Sequence, residues 1–330
     1  MKVLYLSVWY PSERDRMAGL FVQNHAQAAA AQGVEVRVNT WWQDADLVQL
    51  NVLTLKMGLV AYVLKRVFGI PYILVEHWTG FMPENGQYLR FPRWKRRLLE
   101  HIAAEASAIY TVSPLLEKAM KDCGIRNSRW GHVDNIVDDC FYRLPAPSPS
   151  EGTKRLLHVS CFLERAKNVK GLLRAVKTLS RERQDFTLTL VGNGPDWQAC
   201  RDYADSLSLP KGMLHWTGEI APQGVAKEMQ QSDANILVSR FETYGIPLAE
   251  AMAVGIPSVE SDATGLRLTK ETGISVPADD EAALTDAIRY MLDHAREYDR
   301  SAIRRHGTRF STQEVGKQLM KIYEQSRIRS

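Results

Sequence analysis

The feature that most constrains this chain is a regular alternation of short β-branched and aromatic runs with helical patterns, interrupted once and then resumed. "VLYLSVWY" (3–10), "VEVRVNT" (34–40), "DLVQLNV" (46–52), "PYILVEHW" (71–78) and "SAIYTVS" (107–113) read as strands. Between them lie an alanine-rich helix, "GLFVQNHAQAAAAQ" (19–32), stopped by Gly33, a helix ending near Phe68, and a basic helix over 92–107. Ser113 and Pro114 suit the N-cap and first position of the next helix. Strands separated by helix-length crossovers form parallel sheets covered on both faces.

At 144–153 the pattern stops in "LPAPSPSEGT", rich in proline, serine and glycine and without periodicity, the clearest linker in the chain. Beyond it strand and helix alternate again, from "RLLHVSCF" to "IPSVES". The expectation is an α/β protein of two Rossmann-like, doubly wound domains facing a central cleft: residues 1–145, a linker at 146–153, and residues 154–311. Sheets of this kind bind ligands beyond the carboxyl ends of their strands, so the loops after strands are where function belongs.

The totals narrow the class. With 330 residues there is room for two ordinary cores, and 45% hydrophobic with 24% charged residues is a globular composition. A net charge of +4 is too mild to demand nucleic acid, and no nucleic-acid-binding module is recognisable. Cys123, Cys140, Cys161 and Cys200 are scattered without metal-ligand spacing, as in a reducing, cytoplasmic setting. The opening "MKVLYLSVWYPSERD" is short and runs into Pro11 and charges, so it reads as a buried strand and not a signal peptide. Lys56, Lys65, Arg66 and Pro71 interrupt the most apolar later segment before it reaches the ~20 residues of a membrane span.

Chemistry concentrates in "SRFETYGIPLAEAMAVGIPSV" (239–259). A strand, "ANILVS", leads into a loop holding Glu242, Tyr244 and Gly245, and Pro247 suits the start of a helix that stops at Gly255. Glu250 then lies about one turn inside the helix. Unpaired amides at the helix start make an anion seat, and a carboxylate on either side can accept hydrogen bonds from sugar hydroxyls. A phosphate group flanked by two sugars is a nucleotide-sugar diphosphate. The plainer alternative is that Glu250 favours the helix dipole and Glu242 is a solvated loop residue.

This segment resembles the E-x7-E signature of the retaining family 4 glycosyltransferases (group 1), which have the GT-B fold. The likeness extends to "ERAKNVKGLLRAV", similar to the family's lysine-bearing phosphate loop, to "LVGNGP", similar to its strand-end glycine turn, and to "RFSTQEVGKQLMKIYEQ", similar to its closing helix. It spans nearly all of 155–330 and is patchier over 1–145, where few residues separate "VEVRVNT" from "DLVQLNV" and the first domain is shortened. The resemblance implies that Glu250 holds the donor ribose, that Glu242 lies by the donor sugar with loop amides around Tyr244 and Gly245, and that Lys167 grips the phosphates. A cation and a helix N-terminus stabilise the departing diphosphate, one such contact being worth ~3–4 kcal/mol of barrier. No metal is implied, and the chain has no Asp-x-Asp or histidine cluster to hold one. The family's arginine five residues before the lysine is Phe162 here, which leaves Arg165 as the candidate to reach the phosphates. The closing segment, 312–330, is expected to pack back toward the first domain.

Three further features divide between a functional and a structural reading. "VGNGP" places Gly192 either at the donor or in a turn that needs permissive backbone, and Trp197 stands where a third dinucleotide-fingerprint glycine would be. "AGLF" (18–21) places Gly19 where the family has a loop near acceptor and phosphates, or at an ordinary helix start. "EHWTG" (76–80) ends a strand, so Glu76 and His77 face opposite ways, and the family has a histidine here beside the acceptor and anomeric carbon.

"LRFPRWKRRLLEHIAAEA" (89–106) gathers Arg90, Arg93, Lys95, Arg96 and Arg97 around Phe91 and Trp94. It is either a solvated face or a surface for an anionic leaflet, where ~1 kcal/mol per basic residue gives reversible attachment. The sequence thus reads as a metal-independent, retaining glycosyltransferase. It would use a UDP- or GDP-sugar and a glycan or lipid-linked acceptor in cell-envelope or exopolysaccharide assembly, in the cytoplasm or at the inner membrane face. A sugar-nucleotide hydrolase or epimerase of the same fold, a non-catalytic partner subunit and, more distantly, a nicotinamide oxidoreductase are the alternatives.

Overall fold

The computed structural model describes residues 1–13, 18–145 and 152–327. These form two compact units. The first comprises Met1–Ile136 and the chain from Phe310 onward; the second is Val137–Arg309.

In the first unit β1 (Lys2–Leu6), β2 (Glu35–Val38), β3 (Leu47–Asn51), β4 (Tyr72–Glu76), β5 (Ile109–Thr111) and β6 (Trp130–His132) make one parallel sheet in the order β2-β1-β3-β4-β5-β6. Strands β3 and β4 are buried along their whole length; β4 is apolar up to Glu76, whereas in β3 the buried Gln49 Nε2 donates to Asn51 Oδ1 at 2.8 Å. Strand β2 lies at the edge and exposes Glu35 and Arg37, the source of its period-two alternation. Helix Thr312–Arg327 returns to this unit and packs against helix Leu20–Ala31, with Val315, Leu319 and Tyr323 buried in the same cluster as Val3, Tyr5 and Val22. The Tyr323 hydroxyl donates to Gln49 Oε1 at 2.7 Å, so the Tyr5 hydroxyl must donate to Tyr323.

The second unit repeats the plan. Strands β7 (Lys154–Val159), β8 (Phe186–Val191), β9 (Leu214–Gly218), β10 (Ala234–Leu237), β11 (Ser258–Ser261) and β12 (Gly273–Val276) run parallel in the order β12-β11-β10-β7-β8-β9. Helix Val169–Ser180 buries Leu172, Leu173, Val176 and Leu179 beside Ile288 and Met291 of helix Glu281–His294. Strand order reverses direction between β7 and β10 in this unit, and between β1 and β3 in the first; at such points the loops splay apart and leave a crevice.

The division between units falls after Ile136 and not at the proline-serine stretch. Residues 137–145, assigned from sequence to the first domain, pack with the second: the Tyr142 hydroxyl donates to Gly307 O at 2.9 Å, and Arg304 donates to the Tyr142 and Leu144 carbonyls. Most of the expected linker, 146–151, lies outside the described residues. Two doubly wound α/β units form the fold read from the sequence. Strands β6 and β12, only three and four residues long, and helices Glu281–His294 and Arg300–Gly307 add to the elements read from the sequence; the helices do carry signals, Asp280 and Asp299 as N-caps and, in the first, Leu284, Ile288 and Met291 at helical spacing.

Candidate active site

At the β7/β10 reversal the two outgoing loops meet. After β7 the chain passes through Ser160–Leu163 into a single helical turn, Glu164–Lys167, and Asn168, at φ 50°, breaks that turn from helix Val169–Ser180. After β10 it runs through Val238–Thr243 to Gly245, the N-cap of helix Ile246–Val254, with Pro247 in the first turn. The Lys167 ammonium donates to the Glu242 carboxylate, both side chains largely withdrawn from solvent. Burial alone would lower the Lys167 pKa; the Glu242 charge outweighs it and holds the ammonium above the ordinary lysine value. The site therefore presents a permanent cation at the carboxyl end of the sheet.

Arg240 locks the two loops together, and nothing in the sequence singled it out. Its amide donates to Ala166 O at 2.7 Å, its guanidinium to Glu164 O at 2.7 Å and Asn168 Oδ1 at 2.6 Å, and its Nε to Asp279 at 2.7 Å. The loop after β11 supports the other side: Glu242 N donates to Ala263 O at 3.0 Å, and Leu266 N donates to Tyr244 O at 2.7 Å. Tyr244 is buried, its ring withdrawn from solvent.

Glu250 sits about one turn into the helix, partly buried, with no hydrogen-bond or ion-pair partner among the described residues. Loss of hydration raises its carboxyl to about 8, with a smaller push from the nearby Asp138 carboxylate. A carboxyl group desolvated and left unpaired is one that awaits a donor.

The remaining second-unit candidates divide. The Arg165 guanidinium lies over the Phe241 ring, 5.7 Å from its centroid, at the mouth of the lysine turn. Gly192, at φ 120°, turns the chain so close to the β7 loop that a Cβ would sit 2.0 Å from Ser160 O; its requirement is met by packing alone. Phe162 is fully buried, its ring 4.6 Å from Trp197 and 5.9 Å from Trp216. The side chain at this position belongs to the core, which is why it does not extend toward Lys167.

In the first unit, Gly19 (φ 68°) caps helix Leu20–Ala31 where a Cβ would meet Trp9 O at 2.2 Å. His77 follows β4. Glu76 is wholly buried and accepts the amides of Leu53 (2.8 Å), His77 (2.9 Å) and Trp78 (2.9 Å), which fixes the strand end. Burial raises that carboxyl to about 7 despite the three donors. The His77 ring packs on Phe21 at 4.2 Å, and burial holds it neutral, well below the usual histidine value.

The basic helix spans Arg93–Glu105. Trp94 is 63% exposed, Arg93 and Arg97 are exposed, and Lys95 Nζ lies 3.5 Å from the Phe91 ring centroid. Arg96 departs from the expected outward set: its Nε is buried without a partner, and the guanidinium lies near Tyr88 and Cys123. Among the described residues, no three His, Cys, Asp or Glu side chains gather as a metal-ligand set, and no helix is long and apolar enough to cross a membrane.

Two doubly wound parallel sheets with a charged crevice at a strand-order reversal define the GT-B class of transferase folds. The structure aligns over 98% of its length with a sucrose-phosphate synthase from Thermosynechococcus elongatus (TM-score 0.78, 18% identity, 98% of that chain). It aligns equally with Anabaena HepE in complex with UDP-glucose (TM-score 0.75, 18% identity, 98% and 99% covered). Residues 153–294 match the family model "Glycosyl transferases group 1". Curated relatives include a glycogen synthase of Mycobacterium tuberculosis, 28% identical over 197 residues (58% of this chain, 47% of that protein). A phosphatidyl-myo-inositol mannosyltransferase of Mycobacterium leprae is 32% identical over 177 residues (52% and 46%). The chain spans about half the length of these relatives.

Proposed function

We propose that this protein is a retaining, metal-independent glycosyltransferase that moves a sugar from a UDP- or GDP-sugar to a hydroxyl acceptor in cell-envelope or exopolysaccharide assembly. The observation that carries the reading is the Lys167–Glu242 pair at the β7/β10 reversal, followed one helix turn later by the unpartnered Glu250. Lys167, with the amides at the start of helix Ile246–Val254, binds the diphosphate and offsets the charge that grows as the sugar–phosphate bond breaks. Glu242 orients Lys167 in the free protein and accepts sugar hydroxyls in the complex. Glu250 accepts the ribose hydroxyls, and Arg165 adds charge at the rim. In the first unit His77, neutral and with its amide held by Glu76, serves the acceptor side, and the Gly19 turn serves it too. UDP-glucose bound to Anabaena HepE supports a uridine donor.

A thermal-shift panel of nucleotide sugars tests the reading, since a ligand at 100 times its Kd stabilises by ~2.7 kcal/mol. At least one nucleotide sugar is expected to raise Tm, and transfer to an added acceptor should survive EDTA. Silence from every nucleotide sugar would overturn the assignment. Peripheral attachment to the inner leaflet through Arg93, Trp94, Lys95 and Arg97 is part of the proposal. It predicts co-sedimentation with anionic but not neutral vesicles at low salt, lost when the three cations are reversed in sign.

A further inference from the structure

A second group of polar atoms in the first unit is buried and unsatisfied. His25, on helix Leu20–Ala31, is fully buried, with its ring centroid 5.4 Å from that of His77. Its Nε2 lies 3.0 Å from the Asp134 carbonyl oxygen. A carbonyl can only accept, so Nε2 carries the proton and Nδ1 presents a bare lone pair. Asp134 is itself held from the closing helix: its amide donates to Gln318 Oε1 and its carboxylate accepts from Gln318 Nε2, both at 3.1 Å. The tautomer is therefore built into the fold, and burial keeps His25 neutral, its pKa held down to about 4.

Four buried atoms here lack a well-aligned hydrogen bond among the described residues: His25 Nδ1, both His77 ring nitrogens and Asn135 Oδ1; of these, Asn135 lies where it can accept from one His77 N–H, which leaves His25 Nδ1 and the second His77 nitrogen without a partner. Asn135 lies next to His77 and follows Asp134 directly. Leaving such groups unpaired forfeits their hydration without replacement, so an unsatisfied cluster marks a place where a partner is missing. The inventory also says which partner. A neutral His77 has one N–H and one lone pair, and with the N–H directed to Asn135 Oδ1 the lone pair of the other nitrogen is left, beside that of His25 Nδ1. Lone pairs remain here and donors do not. A carboxylate brings only lone pairs, and a phosphate brings negative charge to neutral imidazoles that offer no cation, so both are refused, whereas hydroxyl groups bring the protons that are lacking without a charge.

Resting on the transferase reading, we propose that His25 is a specificity-determining residue of the acceptor side: its Nδ1, with Asn135 Oδ1 and His77, receives hydroxyl protons of a neutral sugar. The carbonyl of Asp134 fixes the ring so that the accepting nitrogen faces the ligand.

The test separates the two nitrogens. His25→Gln can keep the donor to Asp134 but loses the Nδ1 acceptor; His25→Asn keeps an acceptor near Nδ1 but loses the anchor. Binding of free glucose, galactose, mannose and N-acetylglucosamine is measured by ¹⁵N-histidine spectra of the full chain, with inorganic phosphate as the control. We expect at least one hexose, and not phosphate, to shift the His25 Nδ1 resonance. His25→Gln should weaken that hexose, read on His77, by about tenfold, the worth of one hydrogen bond, while His25→Asn retains most of it and loses thermal stability instead. The proposal is overturned if no hexose moves His25, if phosphate does, or if His25→Gln binds like wild type. Nucleotide-sugar binding is measured on the same samples: a positive hexose result with no nucleotide-sugar binding fells the transferase reading and not the hydroxyl site, and the reverse fells only the latter.

Discussion

The two units share a sheet plan but treat their polar groups in opposite ways. In the second, charge is placed at the strand ends and paired: Lys167 with Glu242, Arg240 with Asp279 and the carbonyl of Glu164. In the first, the groups beyond the strands are neutral, buried imidazoles with empty lone pairs. A doubly wound scaffold can thus offer either an ionic seat or an uncharged one, depending on which side chains leave the strand ends. Under the proposed function the first kind suits a diphosphate and the second a sugar hydroxyl.

The largest expected effect breaks the reading of Phe162. Phe162→Arg places a guanidinium among Trp197, Trp216 and His158, and should cost about 3–5 kcal/mol of stability, seen as loss of soluble protein or a collapsed denaturation midpoint. A stable Phe162→Arg with tighter nucleotide binding would mean the position belongs to the site. Next, Lys167→Ala removes the Glu242-paired ammonium from the second unit's crevice and should lower turnover by about 10²–10³ while folding is retained, checked by steady-state rates beside circular dichroism.

Glu250→Gln sharpens the comparison, because it makes the second unit's unpaired acid neutral like the first unit's imidazoles. Above pH 8, where the wild-type carboxyl is ionised, nucleotide-sugar affinity should fall by about tenfold or more, as for a lost hydrogen bond to a charged group. Stability should move the other way. The Glu250 carboxyl is raised to about 8, so the folded protein holds a proton that the unfolded chain releases near 4.5. Its favourable share is complete below about 4.5 and is lost as pH rises through about 8. Wild type should therefore lose Tm relative to Glu250→Gln between pH 5 and 9, and the affinity of wild type for a nucleotide sugar should rise over pH 7 to 9 as the carboxyl ionises. A pH-independent gap between the two proteins would place the shift elsewhere. The smallest effect is structural: Tyr323→Phe removes the proton given to Gln49 and should cost about 1 kcal/mol in urea melts, with nucleotide binding in the second unit unchanged.

How much of this the chain disclosed in advance follows the same split. The second unit's loops are built from contiguous runs, "ERAKN" and "RFETYGIPLAE", so spacing along the chain approximates position in space. Even there, Arg240 escaped notice because its partners, Glu164, Asn168 and Asp279, lie 76, 72 and 39 residues away. In the first unit His25 depends on Asp134 and, through it, on Gln318, a relation no local pattern encodes. The helices and most strands were legible because apolar periodicity is local. Where the units divide was not, because residues 137–145 are claimed by side chains such as Arg304 and not by composition.

The return of helix Thr312–Arg327 to the first unit has a consequence for biosynthesis. Tyr5 and Gln49 meet Tyr323, and Asp134 meets Gln318, so the unit begun by residues 1–136 cannot complete its core until residues 312–327 have left the ribosome. Residues 137–309 are a contiguous stretch and suffer no such delay. The later-made unit is free to mature first, while the earlier one waits for the returning helix.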